Sequence, residues 1–267
     1  MTNAGAGDTG EVVLGNLGRG RIVMISLASG GRCRALAAER FGRLGLPLGF
    51  FDAIDGRRIG LDAIGQSGFI IRQQSTGVAL SGAELGCFMS HVQALRAFAA
   101  SGQDWRLILE DDAIPEPDLP EVLAGIGRLR PTWDVIKLAA TQRPRHHRIA
   151  KVGARDLVRP RKMSLGAVAY LVSRSGCEKL LSRLWVIEDT IDTMIDSYWL
   201  TGLNIFNVLP GVVRHNDAAP STIDHPLGGT RLWRGDLPRW QRYVTKTLRQ
   251  EFAYARYWLR DLIAVPI

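Results

Sequence analysis

The chain is poor in cysteine and has no long apolar run. Its three cysteines, Cys33, Cys87 and Cys177, are widely spaced within 267 residues. This spacing fits neither a disulfide framework nor a structural metal site, so we expect reduced thiols in a cytoplasmic protein. Residues 1–20 lack the basic start and apolar core of a secretory signal. No apolar run approaches the roughly 18–20 residues that a membrane-spanning helix needs.

Acidic residues are outnumbered by basic ones. The chain has 34 Lys and Arg against 26 Asp and Glu, a formal charge of +8. Hydrophobic residues make up 46%, which is typical of a globular chain with a sizeable core. The excess of positive charge favours a polyanionic partner, such as nucleic acid, an anionic membrane surface or a phosphorylated acceptor. Nucleic acid is not expected, because the aromatic and basic strand motif of RNA-binding domains is missing.

Strand and helix patterns alternate from residue 21 onward. A strand-like run at 21–27 is followed by helical spacing at 32–44 and a second strand at 47–53. This order predicts an α/β domain. A glycine-containing turn after Ser26 and Leu27 would let backbone donors approach a phosphate or a base. We expect a flexible tail at 1–20, the main domain at 21–223 and a separate C-terminal segment at 224–267.

The strongest chemical signal lies in Leu107–Pro115. A short apolar strand runs directly into three carboxylates, Glu110, Asp111 and Asp112. Acids at the end of a buried strand repel one another unless a cation neutralises them. A divalent metal carrying a diphosphate would do so, at the sheet edge where α/β proteins bind nucleotides. The alternative is a solvated acidic turn, and spacing alone does not separate the two.

Further candidate residues flank this stretch. Ser81 and Glu84 form a capping box that opens a helix to about residue 100, and His91 lies inside that helix. Each has an ordinary interpretation, as a cap and as a core histidine, beside a catalytic one. Lys137, near the end of a predicted strand at 133–138, is either an edge lysine or a phosphate ligand. Asp192 and Asp196, one helical turn apart, are either surface charge or a source of one site carboxylate.

Residues 141–162 are densely basic, with Gly153-Ala154 as the expected turn of a hairpin. They form either a solvated loop or a phosphate-binding lid. Residues 239–263 predict an amphipathic helix with an apolar face and an opposite basic face. We favour an in-plane helix on an anionic membrane over packing on the domain or on a second copy, because the polar face is basic rather than mixed. The apolar face has Trp240, Val244, Leu248, Phe252, Ala255, Trp258, Leu259 and Leu262, and the basic face has Arg239, Arg242, Lys246, Arg249, Arg256 and Arg260.

Several of these segments together carry a family resemblance. The sequence resembles glycosyltransferase family 25, the bacterial lipopolysaccharide and lipooligosaccharide glycosyltransferases, over about residues 21–223. An opening strand with a nearby arginine matches Ile22–Arg34, so both Arg32 and Arg34 are candidates. The glutamate–histidine block and the acidic triplet, about twenty residues apart, are specific in combination. The other motifs are Ala53–Gly56, Leu80–His91, Leu109–Asp112, Trp133–Leu138, Gly166–Leu171 and the aspartate Asp192.

The resemblance implies a GT-A-like nucleotide-sugar-binding fold with a central, mostly parallel sheet. It also implies transfer of a sugar, often galactose from a UDP-sugar, usually with inversion and often with Mn²⁺. Asp112 and Glu110 would then hold Mn²⁺ or Mg²⁺, and Asp192, followed by Glu84 and His91, would be the candidate base. The remaining residues expected at the donor are Ser26, Leu27, Arg32, Arg34, Asp55, Glu110, Asp111 and Lys137.

A lipid-linked or lipopolysaccharide-core glycan is the expected acceptor, reached by a cytoplasmic enzyme that is peripheral at the inner membrane. Two alternatives remain at this point. One is another metal-dependent nucleotide transferase, and the other is a non-catalytic basic membrane-binding protein.

Overall fold

The computed structural model describes residues 10–58, 68–72, 80–129, 132–139, 146–161, 166–216 and 239–264. In these ranges strands and helices alternate, and the predicted α/β class is confirmed. The strands are β1 (Val12–Val13), β2 (Arg19–Ser26), β3 (Leu48–Asp52), β4 (Ile70–Ile71), β5 (Trp105–Glu110), β6 (Ala113–Pro115), β7 (Val135–Lys137), β8 (His146–Val152), β9 (Arg155–Pro160), β10 (Ala169–Ser173), β11 (Val186–Ile187), β12 (Ile205–Leu209) and β13 (Val213–His215). The helices are α1 (Gly31–Arg43), α2 (Gly82–Ala99), α3 (Leu119–Ile126), α4 (Arg174–Leu181), α5 (Ile191–Asp196), α6 (Tyr198–Thr201) and α7 (Arg239–Ala264), with two 3₁₀ helices at Gly15–Leu17 and Gly56–Arg58.

A nine-stranded sheet forms the centre of the described part of the chain. Its order is β1-β2-β5-β10-β7-β12-β9-β8, and β3 pairs with the later part of β2. Strands β2, β3, β5, β7, β8 and β12 run in one direction, whereas β1, β9 and β10 run in the other. The predicted mostly parallel sheet is therefore confirmed.

The predicted flexible tail does not extend to residue 20. Residues 1–9 lie outside the described ranges, but Val12 and Val13 pair with Gly20 and Arg19 of β2. The side chain of Leu14 is buried in the main core. Val12 and Val13 therefore form a short edge strand of the central sheet, and the residues after them lead directly into β2.

The sheet separates two apolar cores. One core packs α1 and α3 against one face of the sheet, through residues such as Phe41 and Val122. The other packs α2, α4 and α5 against the opposite face, through Phe88, Leu180 and Ile195. Alternate side chains of β5 enter the two cores, which explains why Leu107, Ile108 and Leu109 are all fully buried.

The basic segment forms the hairpin that closes one end of the sheet. Strands β8 and β9 pair antiparallel, and Gly153 supplies the turn with a φ of 61° that favours glycine. Arg155 lies in an ion pair with Asp118, and Arg159 in one with Asp261. These two arginines therefore stabilise the fold rather than a lid over a phosphate, and residues 141–145 and 162 lie outside the described ranges.

The chain forms two strands after α6, and they lie in different sheets. Strand β12 ends at Leu209 in the central sheet, and β13 pairs antiparallel with β6. His215 pairs in register with Ala113, the residue that follows the acidic triplet. This change of sheet brings a histidine beside the carboxylates, although about a hundred residues separate them in sequence.

The long C-terminal helix is present, and one of its faces packs on the domain. Tyr257 and Asp261 of α7 are buried, and Tyr257 joins the second core. Leu248, Phe252 and Leu259 remain exposed. The packing alternative is therefore correct for one face of α7, while the second face stays open. No helix in the described ranges is both long and apolar enough to cross a bilayer.

Candidate active site

The acidic triplet lies at the carboxyl end of β5. Glu110 is the last residue of that strand, and Asp111 and Asp112 form the turn into β6. Strand β5 is held on both sides, by β2 in parallel and by β10 in antiparallel orientation. Burial and the neighbouring charge of Glu110 both raise the pKa of Asp111. The triplet therefore carries more negative charge than its surroundings compensate.

The lack of neighbouring positive charge is clearest at Asp112. Its Oδ2 lies 2.7 Å from Nε2 of His215, whereas its Oδ1 is buried and has no hydrogen-bond partner among the described residues. Burial, followed by the charge of Glu110, raises the pKa of Asp112 to about 6. A buried carboxylate oxygen without a partner is costly, and a divalent cation would compensate it.

His91 forms a buried connection between Tyr170 and Glu110. Its Nδ1 lies 3.0 Å from the hydroxyl of Tyr170, and its Nε2 lies 3.3 Å from Oε1 of Glu110. The His91 side chain is fully buried, so it does not face an acceptor. This arrangement favours a role in orienting the carboxylate of Glu110, and the role of His91 as a base stays a prediction.

Cys87 lies one helical turn before His91, on the same face of α2. Its Sγ, Nε2 or Nδ1 of His91 and a carboxylate oxygen of Glu110 all lie within 4.8 Å of one another. Burial raises the pKa of the Cys87 thiol well above its usual range, and the charges of Glu110, Asp192, Asp112 and Asp111 add to the effect. Four carboxylates thus converge on one region, including Asp192 from α5.

Asp192 is held rigidly near the start of α5. Its Oδ2 accepts a hydrogen bond of 3.0 Å from the backbone N–H of Gly166. Its Oδ1 accepts from the backbone N–H of Thr193 at 2.9 Å and from the hydroxyl of Thr190. The carboxylate is therefore fixed in direction and only partly buried, which leaves it accessible at the edge of the acidic group.

Glu84 has a structural role. Its Oε2 accepts a hydrogen bond of 2.7 Å from the backbone N–H of Ser81, and the Ser81 hydroxyl accepts one of 3.2 Å from the backbone N–H of Glu84. This reciprocal capping box satisfies two backbone donors at the start of α2. The capping interpretation of Glu84 is therefore supported, and its role as a base stays a prediction.

Arg34 joins the carboxyl ends of β2 and β3. Its guanidinium donates to the hydroxyl and to the carbonyl of Ser26, at 2.7 and 2.8 Å, and to Asp52 at 2.6 Å. The Ser26 side chain is thereby buried and occupied, while Leu27 follows at the strand end. Arg32 is exposed on the first turn of α1. Of the two arginines, Arg32 is therefore the more exposed to solvent at this edge of the sheet.

Two other donor candidates have partners inside the protein. Nζ of Lys137 donates to both carboxylate oxygens of Asp196, at 2.7 and 3.0 Å, and both side chains are buried. Burial raises the pKa of Asp196, and the attraction of Lys137 opposes it. In this structure Lys137 stabilises α5 through Asp196, and its role at a phosphate stays a prediction. Asp55 accepts hydrogen bonds from Arg57, which hold the pKa of its carboxyl below the usual value.

The loop after β3 packs backbone to backbone on α2. A Cβ atom at Gly56 would lie 1.8 Å from the carbonyl oxygen of Gly82, and one at Gly86 would lie 2.5 Å from the nitrogen of Gly56. The Ser90 hydroxyl accepts from the backbone N–H of Ile54 at 2.8 Å and donates to the carbonyl of Gly86 at 2.6 Å. These contacts fix the loop to the helix that carries Cys87 and His91.

Three residues of this group, Tyr170, Cys87 and His215, were not predicted from the sequence as site residues. Tyr170 lies within one of the quoted motifs, but its contact is with a histidine 79 positions earlier. His215 reaches Asp112 only because β13 leaves the central sheet. The i, i+4 spacing of Cys87 and His91 was the one available signal, since it places both side chains on one helical face.

Comparison with known proteins identifies one family. The family described as "Glycosyltransferase family 25 (LPS biosynthesis protein)" matches residues 20–196. A protein of Aedes aegypti named "Glycosyltransferase 25 family member" is 28% identical over 68% of this chain and 32% of its own length. The "Lacto-N-neotetraose biosynthesis glycosyltransferase LgtE" of Neisseria gonorrhoeae is 26% identical over 71% of each chain. A "Probable inactive glycosyltransferase 25 family member 3" of Rattus norvegicus is 24% identical over 73% of this chain and 38% of its own length.

The chain therefore spans about a third of the animal relatives and most of the bacterial one. Among solved structures, the Thermotoga maritima (T. maritima) inositol-1-phosphate CTP transferase aligns with a TM-score of 0.39 and 12% identity, over 80% of this chain and 94% of its own. A Drosophila β-1,4-galactosyltransferase 7 mutant in complex with manganese, UDP-Gal and xylobiose aligns with a TM-score of 0.38 and 9% identity, over 74% of this chain and 68% of its own.

Proposed function

Because this chain belongs to glycosyltransferase family 25, we propose that it transfers a sugar, galactose being the first candidate, from a UDP-sugar to a glycan acceptor. The observation that supports this most directly is the acidic triplet at the end of β5, in which a buried oxygen of Asp112 has no hydrogen-bond partner among the described residues. A divalent cation supplies the missing positive charge, and it can carry the diphosphate of a nucleotide at such a strand end.

The residues present fit Mn²⁺ or Mg²⁺, which prefer carboxylate oxygen ligands. Asp112 and Glu110 would hold the ion, and Asp111 would contact it or the ribose. When bound, the metal neutralises charge on the UDP leaving group. The buried imidazole of His91 keeps Glu110 oriented, and His215 holds the second oxygen of Asp112.

Asp192 is the proposed base for an inverting transfer. Inversion needs a proton acceptor on the face opposite the leaving group. Three donors from Gly166, Thr190 and Thr193 fix the direction of the Asp192 carboxylate. Asp192 would take the proton of the acceptor hydroxyl as that oxygen attacks the sugar, while the bond to UDP breaks.

The open face of α7 is proposed to rest on an anionic membrane. Leu248, Phe252, Leu259 and Leu262 are each more than half exposed, and Trp199 and Leu200 border an adjoining depression of about 570 Å³. The nearby exposed side chains of the helix are basic: Lys246, Arg249 and Arg256. Apolar side chains beside basic ones suit the interface of an anionic leaflet. This would place the enzyme at the cytoplasmic side of the inner membrane, next to a lipid-linked or lipopolysaccharide-core acceptor.

The test is UDP release from a panel of UDP-sugars, with and without Mn²⁺, by the wild-type protein and by Asp112→Asn. We expect metal-dependent release from one donor, lost in the variant. UDP binding without release would point to a missing acceptor. Neither release nor Mn²⁺-dependent UDP binding would contradict the proposal, in favour of a different nucleotide or of a non-catalytic basic membrane-binding protein.

A further inference from the structure

A second metal-binding group lies beside the oxygen ligands of the proposed donor site. It consists of Cys87 and His91 on one face of α2 and of Glu110 at the end of β5. Thiolate sulfur is a poor ligand for Mn²⁺ and Mg²⁺, whereas sulfur together with imidazole nitrogen is a preferred ligand set of Zn²⁺. We propose that Cys87, His91 and Glu110 form a Zn²⁺ site, and that Zn²⁺ bound there removes Glu110 from the donor site.

The distances are close to those of a three-ligand zinc site. Zinc bonds of about 2.0–2.3 Å imply separations of roughly 3.3–3.8 Å between ligand atoms in a tetrahedron. Nε2 of His91 and Oε1 of Glu110 are already 3.3 Å apart, and no pair in the group exceeds 4.8 Å. A movement of about 1 Å by the Cys87 side chain therefore completes the geometry.

Tyr170 allows His91 to become a ligand. Without metal, Nε2–H of His91 faces the carboxylate, which can only accept a hydrogen bond when it is ionised. A bound ion needs the lone pair of Nε2 instead, so the proton moves to Nδ1. The Tyr170 hydroxyl, 3.0 Å from Nδ1, serves both states because a hydroxyl both donates and accepts.

The charges also suit a doubly charged soft cation. A thiolate and a carboxylate together neutralise Zn²⁺, and the Cys87 proton is released as the ion binds. Cys87 is the partly exposed residue of the pair on α2, whereas His91 is fully buried. Three protein ligands leave a fourth position for water, as in zinc sites that are not purely structural.

Co²⁺ provides the direct test, because a cobalt–thiolate bond gives a charge-transfer band in the near ultraviolet that oxygen and nitrogen ligands do not give. We expect this band when Co²⁺ is added to the reduced protein, and its displacement by Zn²⁺. Cys87→Ser should lose the band. The matched control Cys33→Ser, which removes an exposed thiol on α1, should keep it, as should Asp112→Asn.

A second measurement needs no variant. Zn²⁺ should protect Cys87, identified by mass spectrometry, from alkylation, while Cys33 stays reactive. A wild-type protein without the cobalt band, a band that persists in Cys87→Ser, or unprotected Cys87 at saturating Zn²⁺ would each overturn the site. None of these results depends on transferase activity.

The expected inhibition of the transferase by Zn²⁺ rests on the proposed function. Zn²⁺ should inhibit UDP release, and Cys87→Ser should raise the concentration for half-inhibition by about tenfold or more. Equal inhibition of Cys87→Ser would contradict the link between this site and Glu110, even where the cobalt spectra support the site. A wild-type protein with neither turnover nor Mn²⁺-dependent UDP binding would count against the proposed function, and the spectra would still decide the metal site.

Discussion

The carboxylate of Asp261 in α7 accepts hydrogen bonds from the guanidinium of Arg159 in β9, 102 positions earlier in the chain. Both side chains are buried, and Asp261 also lies 3.0 Å from Nε2 of His147. The Arg159 guanidinium stacks over the rings of Phe206 and Tyr257, at 4.3 and 4.8 Å. The C-terminal helix is therefore joined to the central sheet by a desolvated ion pair.

Replacing Asp261 with Asn should destabilise the protein strongly. Removing one charge of a buried pair leaves Arg159 uncompensated, which costs about 3–5 kcal/mol. Urea unfolding followed by circular dichroism measures the loss. Glu251→Gln is the matched control, because Glu251 of α7 pairs with Arg161, the residue that follows β9, and both side chains are partly exposed. Similar losses in the two variants would contradict the assigned role of Asp261.

The same pair predicts a pH dependence. Burial alone would raise the pKa of Asp261, but hydrogen bonds from His147 and Arg159 outweigh it and hold the pKa below the usual value. The unfolded chain then binds this proton at a higher pH than the folded one, so the stability from Asp261 is present above about pH 4 and lost below it. Unfolding free energies measured from pH 6 to pH 3 should fall less steeply in Asp261→Asn than in the wild type.

Asp112→Asn should abolish metal-dependent turnover while leaving the fold intact. We expect a loss of roughly 10³-fold, about 4 kcal/mol of transition-state stabilisation. Mn²⁺ with UDP should also raise the melting temperature of the wild type but not that of the variant. Glu116→Gln is the control, since Glu116 follows β6, four residues after Asp112, but is paired with Arg214. Near-normal turnover in Asp112→Asn would refute the metal assignment.

Asp192 and Glu84 should respond differently to removal of charge. Glu84→Gln keeps the capping hydrogen bond, so both stability and kcat should be nearly unchanged. Asp192→Asn should lower kcat by about 10²-fold or more while UDP binding is retained. Calorimetric titration with UDP and Mn²⁺ separates the two effects. Weakened UDP binding in Asp192→Asn would place Asp192 in the donor site instead.

Polar substitutions on the open face of α7 should reduce membrane binding without unfolding the domain. Phe252→Ser and Leu259→Ser remove exposed apolar side chains and leave Tyr257 and Asp261 in place. We expect weaker co-sedimentation with vesicles of anionic lipid, and high salt should remove most of the binding that remains, because that binding rests on the basic side chains. Leu36→Ser on α1 serves as the control, because Leu36 is also exposed. Deleting the helix is a poorer test, since Arg159 would lose its partner.

Much of the fold could be predicted because strand and helix periods are local properties. The β2–α1–β3 unit and α2 follow from the spacing of apolar residues, and the capping box sets the start of α2 at Ser81. The acidic triplet was visible for the same reason, since three acids directly after a buried strand stand out in the sequence.

The sequence could not identify partners that are distant along the chain. It left Lys137 open between an edge lysine and a phosphate ligand, and only the structure places its ammonium against Asp196, 59 positions later. It left His91 open between a core and a catalytic histidine, and only the packing of Tyr170 shows that it is enclosed. The amphipathic pattern of α7 likewise gives no indication that Tyr257 and Asp261 turn inward, because a helix period identifies faces but not what covers them.

The contact among Gly56, Gly82 and Gly86 makes the site sensitive to changes far from its chemistry. A single added methyl group at any of these positions would push the Ala53–Gly56 loop away from α2 and shift Cys87 and His91 with it. The proposed activity could therefore be lost by mutation while every carboxylate of the triplet is retained. The presence of the acidic triplet in a related sequence is thus not enough to identify a working enzyme. The three glycines should be checked in that sequence as well.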